Sequence, residues 1–247
     1  MMREDVVSDD QQYGRQVLLD RLQRAQEKID RAVERRPGRA GVELVAVSKT
    51  HPVEAMEVLY EAGVRSFGSS YVQEWQEKVD SLPDDIRWHF IGRLQSNKAK
   101  YVANRVAMVH SVDRKSLAKK LHRRLEEPVD VLLQVNLGLE ESKGGVAEED
   151  LVGLMELVAG YPKLRIRGLM GMPPYSADPE HSRPYFRRLR QALNSLREVA
   201  QKRFPGRAEE LTELSMGMSN DYEVAIEEGA TIVRLGTALF GRRSYEH

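Results

Sequence analysis

Apolar residues recur at three- and four-residue steps from Gln16 to Arg36, through Val17, Leu18, Leu22, Ala25, Ile29, Ala32 and Val33. That period predicts an amphipathic helix, which Pro37 and Gly38 then interrupt. Beyond it the pattern changes to short β-branched runs that alternate with amphipathic stretches of helix length. Strands are expected at Val42–Val47, Val64–Phe67, Ile86–Ile91, Val106–Ser111, Val129–Val135, Leu164–Met170, Leu211–Leu214 and Thr231–Leu235. Helices are expected between them, near Val53–Ala62, Tyr71–Ser81, Asn97–Ala103, Lys115–Glu126, Glu148–Ala159, Pro184–Arg203 and Asp221–Glu228. Eight strands alternating with helices, with no repeat or long linker, predict parallel strands joined by right-handed crossovers. They favour a single (β/α)8 TIM barrel over a doubly wound sheet. On this reading residues 1–41 are an extra N-terminal helix packing on the barrel, and residues 42–247 are the barrel.

Length agrees, since 247 residues match the about 250 typical of one such barrel. Lys+Arg and Asp+Glu balance at 38 each, so no net field gathers nucleic acid or an anionic membrane. The absence of cysteine excludes disulfides, thiolate metal sites and a cysteine nucleophile. Met1 to Asp10 has no apolar core of a secretory signal, and no stretch approaches the roughly 20 apolar residues of a membrane span. The expectation is a cytoplasmic protein without nucleic-acid or membrane partners.

Barrels of this kind build their chemistry at the carboxyl ends of the strands. Here those ends read Ser48-Lys49-Thr50, Gly68-Ser69-Ser70-Tyr71, Gly92-Arg93-Leu94-Gln95, Ser111-Val112-Asp113, Asn136, Gly171-Met172-Pro173, Ser215-Met216-Gly217-Met218-Ser219 and Gly236-Thr237. Lys49 follows an apolar strand, so its side chain projects into the barrel mouth, where desolvation favours the neutral amine that attacks an aldehyde. Position alone equally describes a surface lysine. The run Leu214 to Asp221 reads as a strand end, a glycine turn and a helix start. Arg234-Leu235-Gly236-Thr237-Ala238 adds a glycine for close approach and a hydroxyl. Loops after the seventh and eighth strands are the customary phosphate cup of this barrel. A reactive lysine opposite a phosphate cup describes a phosphorylated aldehyde, and pyridoxal 5'-phosphate (PLP) fits both ends. A Schiff-base aldolase would use the same pair but needs acid/base carboxylates, and Asp113 is the one acid among these strand-end motifs.

These motifs, with Tyr71-Val72-Gln73-Glu74, Trp88-His89-Phe90-Ile91-Gly92, Leu94-Gln95-Ser96-Asn97-Lys98, His110-Ser111-Val112-Asp113, Glu141-Ser142-Lys143 and Gly168-Leu169-Met170, resemble the pyridoxal phosphate homeostasis protein family. The resemblance runs in order from about Val42 to the end of the chain. It implies a monomeric barrel similar to the N-terminal domain of alanine racemases, holding PLP as a covalent aldimine on Lys49. It further implies that Ser215, Gly217, Ser219, Gly236 and Thr237 cradle the phosphate, that Arg234 faces the pyridine nitrogen, and that Met216 and His89 line the pocket. One departure touches the site: the family usually has Phe-Gly-Glu-Asn-Tyr where this chain has Phe67-Gly68-Ser69-Ser70-Tyr71. Ser70 replaces an amide side chain at the cofactor, so its contact needs a water or a shifted ring.

An arginine facing the pyridine nitrogen discourages protonation there and makes the ring a poorer electron sink, which argues against aminotransferase chemistry. Racemisation needs a base on each face of the cofactor. In the racemases an appended domain supplies the second, and none is expected past His247. The reading is therefore a PLP reservoir or delivery protein that carries out no turnover, with PLP-dependent apo-enzymes as recipients. The alternative is a weak amino-acid racemase or barrel decarboxylase using Tyr71, Tyr175 or His89. Lys98, Lys100, Lys143 and Arg242-Arg243 could guide an anionic ligand, though such charges ordinarily just face solvent.

Overall fold

Eight parallel strands close into a barrel in sequence order in the computed structural model, which describes residues 14–36, 38, 41–140 and 144–242. The strands are β1 (Glu43–Val47), β2 (Ser66–Ser69), β3 (Arg87–Phe90), β4 (Met108–Val112), β5 (Val129–Val135), β6 (Leu164–Gly171), β7 (Glu213–Met218) and β8 (Ile232–Leu235). The α-helices are α1 (Arg15–Arg35), α2 (Val53–Glu61), α3 (Val72–Val79), α4 (Ala99–Val102), α5 (Lys115–Arg124), α6 (Leu151–Ala159), α7 (Arg183–Arg203), α8 (Tyr222–Glu227) and α9 (Thr237–Phe240). The Met1–Asp10 segment, the Glu141-Ser142-Lys143 motif and Arg243 lie outside the described residues.

Alternation along the strands creates two cores. Val45, Met108, Leu132, Met170 and Ile232 point inward and fill the lumen. Their neighbours, among them Phe67, Phe90, Leu133, Leu169, Val233 and Leu235, point outward beneath the helices in a larger cluster. A strand buried on both faces must be apolar nearly throughout, which is why the runs were conspicuous.

The stripe Leu18, Leu22, Ala25, Ile29 and Ala32 buries one side of α1 against α8, α9 and α2. Charge holds its rim: Lys28 reaches Glu223 at 2.9 Å and Arg35 reaches Glu227 at 2.6 Å. Arg183 adds bonds of 2.7 Å to both Glu180 and Glu227, and Arg187 reaches Glu228 at 2.9 Å. These form a network around α8 rather than scattered pairs, which is the arrangement in which surface charges contribute measurably.

Two differences from the sequence reading bear on the site. β7 continues to Met218 instead of ending at Leu214. Its register with β8 shifts between Ser215 and Met218, at a bulge where Gly217 takes φ +90°, a conformation that favours glycine. The second is α9, a short helix that opens directly at Thr237 and that no apolar period announced.

Candidate functional site

Ala46 of β1 pairs with Leu235 of β8, so Lys49 and Gly236 leave the barrel by adjacent strands at the same end. The turn carrying Lys49 is clamped on both sides. Lys78 donates to the Ser48 carbonyl at 2.9 Å, and the Thr50 amide donates to Glu74 at 2.5 Å. Lys78 and Glu74 are themselves paired at 2.6 Å. Thr50 stands at φ +62°, a conformation costing a β-branched residue about 1–2 kcal/mol, and these contacts hold it there. The Lys49 amine donates to the Tyr71 hydroxyl at 3.1 Å and lies 4.6 Å from the centre of its ring.

Across β1 and β8 the amides of Gly236 and Ala238 both donate to the hydroxyl of Ser219, at 3.2 and 3.0 Å. Two backbone donors at the start of α9 thus converge on one oxygen. The Ser219 loop is fixed by Asp221, which accepts from the Met218 amide at 2.8 Å and from the Ser182 hydroxyl at 2.9 Å. Gly217 is pinned beneath it, since a Cβ there would lie 2.5 Å from that of Ala225. Gly236 is open by contrast, its nearest contact being the Val47 carbonyl at 3.6 Å from such a Cβ. Thr237 is exposed at the rim.

Below the mouth lies a polar row in an otherwise apolar lumen. Arg234 donates to the Ser215 hydroxyl at 2.6 Å, which is 2.9 Å from Nδ1 of His110. Nε2 of His110 is in turn 2.9 Å from Nδ1 of His89. Nε2 of His89 stands 3.6 Å from Glu43, beyond hydrogen-bond length but close enough for electrostatics. Burial pulls the Arg234 guanidinium down to about 10, against the opposing effect of Asp221; it remains charged at neutral pH. Burial, then His89 and Arg234, hold the His110 imidazole well below its usual value, so it is neutral.

The structure places two of the expected site residues away from the Ser219 cup. The Ser215 hydroxyl bonds to Arg234 and His110 inside the barrel. The Met216 side chain belongs to the outer cluster under the helices, because neighbours on a strand face opposite ways. His89 lies one layer beneath the mouth. Ser70 opens instead on a cavity of about 600 Å³ shared with Tyr71, Gln73, Arg93, Lys98 and Arg114. Its backbone is nearly touched by Gly92, where a Cβ would fall 2.1 Å from the Ser70 carbonyl oxygen. Sequence reasoning missed His110, Glu43 and Asp221 as site-building residues. His110 and Asp221 each fall within a motif quoted above, where neither is given a role.

Burial raises the Glu43 carboxyl, but His89, the Ser66 hydroxyl and Arg87 outweigh it and hold the group at about 2, against an ordinary 4.5. A depressed carboxyl stabilises the fold above its unfolded value and loses that contribution as pH falls towards its folded one. Glu43→Gln is therefore expected to be less stable than the parent by about 1–2 kcal/mol at pH 6, the part that Ser66 and Arg87 supply beside a neutral His89. The difference should shrink between pH 4.5 and pH 2, as followed by urea denaturation of both proteins.

The family model described as alanine racemase, N-terminal domain, matches residues 19–244. The alanine racemase of Corynebacterium glutamicum superposes with a TM-score of 0.66 at 16% identity, over 91% of this chain and 62% of that one. The fold is thus that of the alanine racemase N-terminal barrel. A pyridoxal phosphate homeostasis protein of Aquifex aeolicus is 47% identical over 231 residues, covering 92% of this chain and 98% of that protein. PipY of Synechococcus elongatus, solved with PLP bound, superposes with a TM-score of 0.77 at 35% identity, over 91% of this chain and all, 100%, of that one. The chain belongs to the pyridoxal phosphate homeostasis protein family. Among the described residues no helix is long and apolar enough to cross a membrane.

Proposed function

We propose that this chain binds PLP as a Schiff base on Lys49 and acts as a monomeric cytoplasmic reservoir that surrenders the cofactor to PLP-dependent apo-enzymes. The observation that carries this reading is the pairing, at one end of adjacent strands, of an amine with a cup of amides. Lys49 has Tyr71 as its partner, and the amides of Gly236 and Ala238 already converge on an oxygen, that of Ser219. A buried guanidinium, Arg234, lies below them. An amine, an anion cup and a permanent donor suit an aldehyde, a phosphate and a ring acceptor in one ligand. The relatives named above, one solved with PLP bound, support the same ligand. Bound there, PLP would supply a carbonyl for reversible condensation.

Three side chains were weighed as a second base for racemisation, and each is ill suited. Tyr71 bonds to Lys49 itself, His89 is buried in the interior row, and Tyr175 is 89% exposed. The test is to mix loaded protein with an apo-aminotransferase and, separately, with L-alanine. Recovered transaminase activity and no D-alanine above that formed by free PLP are expected. D-alanine formed catalytically would overturn the carrier reading.

A further inference from the structure

We propose that His89 and His110 are positioning residues for Arg234, acting through a hydrogen-bond chain that runs in one direction across the barrel lumen, from the guanidinium to His89, which faces Glu43. The five groups come from five strands: Arg234 on β8, Ser215 on β7, His110 on β4, His89 on β3 and Glu43 on β1. The four upper ones are 4, 0, 0 and 1% exposed in that order, so water cannot substitute for a missing partner.

The direction follows from what each group can do. Arginine only donates, so the Ser215 oxygen accepts at 2.6 Å. The Ser215 hydrogen then goes to Nδ1 of His110, 2.9 Å away. His110 must carry its proton on Nε2, which donates to Nδ1 of His89 at 2.9 Å. His89 in turn carries its proton on Nε2, facing Glu43 at 3.6 Å. Glu43 is an acceptor: the Ser66 hydroxyl donates to it at 2.6 Å, and Arg87 lies 3.0 Å away. The three links from Arg234 to His89 are satisfied with both imidazoles neutral, and Nε2 of His89, without a hydrogen-bond partner, faces the Glu43 carboxylate at 3.6 Å.

Reversing the chain with neutral rings leaves the Ser215 hydrogen without His110 as acceptor. It also turns the Nε2 lone pair of His89 towards the Glu43 carboxylate, which only a further proton on His89 would relieve. That proton would place an imidazolium three links from a buried guanidinium, in a lumen otherwise lined by Val45, Met108, Leu132, Met170 and Ile232. A second buried cation so near the first is costly, and burial already disfavours charge on His110. In the one-way chain the Ser215 hydrogen is committed to His110, leaving the oxygen free to accept. The remaining bond of Arg234, to the Gly171 carbonyl, is long at 3.4 Å, so Ser215 sets the guanidinium. This rests on the reading that Arg234 meets the cofactor only for its effect on binding, not for the chain itself.

The test uses the full chain with ¹⁵N-labelled histidine, cofactor-free and PLP-loaded, and long-range proton–nitrogen spectra that assign each ring proton. Both His89 and His110 are expected neutral, with the proton on Nε2, at pH 7.5. A proton on Nδ1 of His110, or an imidazolium at either position, overturns the proposal. His110→Leu supplies the second arm, because it removes the acceptor for Ser215 and the donor towards His89 without adding a polar group. PLP should bind about tenfold more weakly, as expected for a lost hydrogen bond to a charged network, with a shifted absorption maximum and an unchanged fold by circular dichroism. Binding within about twofold of the parent and an unshifted band would overturn it equally. If the parent itself takes up no PLP, the proposed function fails while the ring-proton assignments still decide the chain.

Discussion

Lys49→Ala is expected to abolish the borohydride-fixable PLP adduct completely and to weaken PLP binding by about a hundredfold or more, a loss of roughly 3 kcal/mol. The amine is the group that makes the bond reversible and covalent; without it only the phosphate cup and Arg234 hold the ligand. The fold should survive, since the Lys49 side chain makes one hydrogen bond, to Tyr71, worth about 1 kcal/mol. Intact mass after reduction reads the outcome directly. An adduct of unchanged yield in the variant, carried by a neighbour such as Lys98, would remove Lys49 from the site.

The second large effect belongs to Gly236→Val. A Cβ there meets nothing closer than 3.6 Å, so the first carbon of a side chain is accommodated. Its methyls stand beside the point where the Gly236 and Ala238 amides converge. PLP retention should fall by about thirtyfold or more, equivalent to about 2 kcal/mol, with the melting midpoint within a few degrees of the parent. Gly217→Val is the contrast. At φ +90°, with its Cβ 2.5 Å from Ala225 and 2.9 Å from the Tyr222 backbone, it should cost about 3 kcal/mol or more of stability. Parallel calorimetry and dialysis separate loss of the cup from loss of the fold. Undiminished retention in Gly236→Val would refute the phosphate assignment.

The barrel was legible because its strands are buried on both faces, so apolar runs such as Val129–Val135 stand out against amphipathic helices. The rim was legible because glycine, serine and lysine interrupt those runs where strands end. Elsewhere local pattern misled. Ser215-Met216-Gly217-Met218 reads as a turn, yet a bulge at Gly217 keeps it in the strand. Once it is a strand, simple alternation sends Ser215 inward and Met216 outward. The link from Glu43 through His89 and His110 to Ser215 was not legible at all. It joins residues 21 to 105 positions apart, and only barrel closure brings them into register.

The ion-pair network around α8 carries a consequence for the loop that enters that helix. Lys28, Arg35 and Arg183 secure Glu223 and Glu227, and the loop entering α8 is the one that Asp221 ties to Met218. Dissolved salt screens surface charges over distances of about 8–10 Å. For the proposed phosphate cup, ionic strength would therefore loosen the support of the loop as well as screen the anion itself, making the outer helix layer a tuning element for an event at the rim.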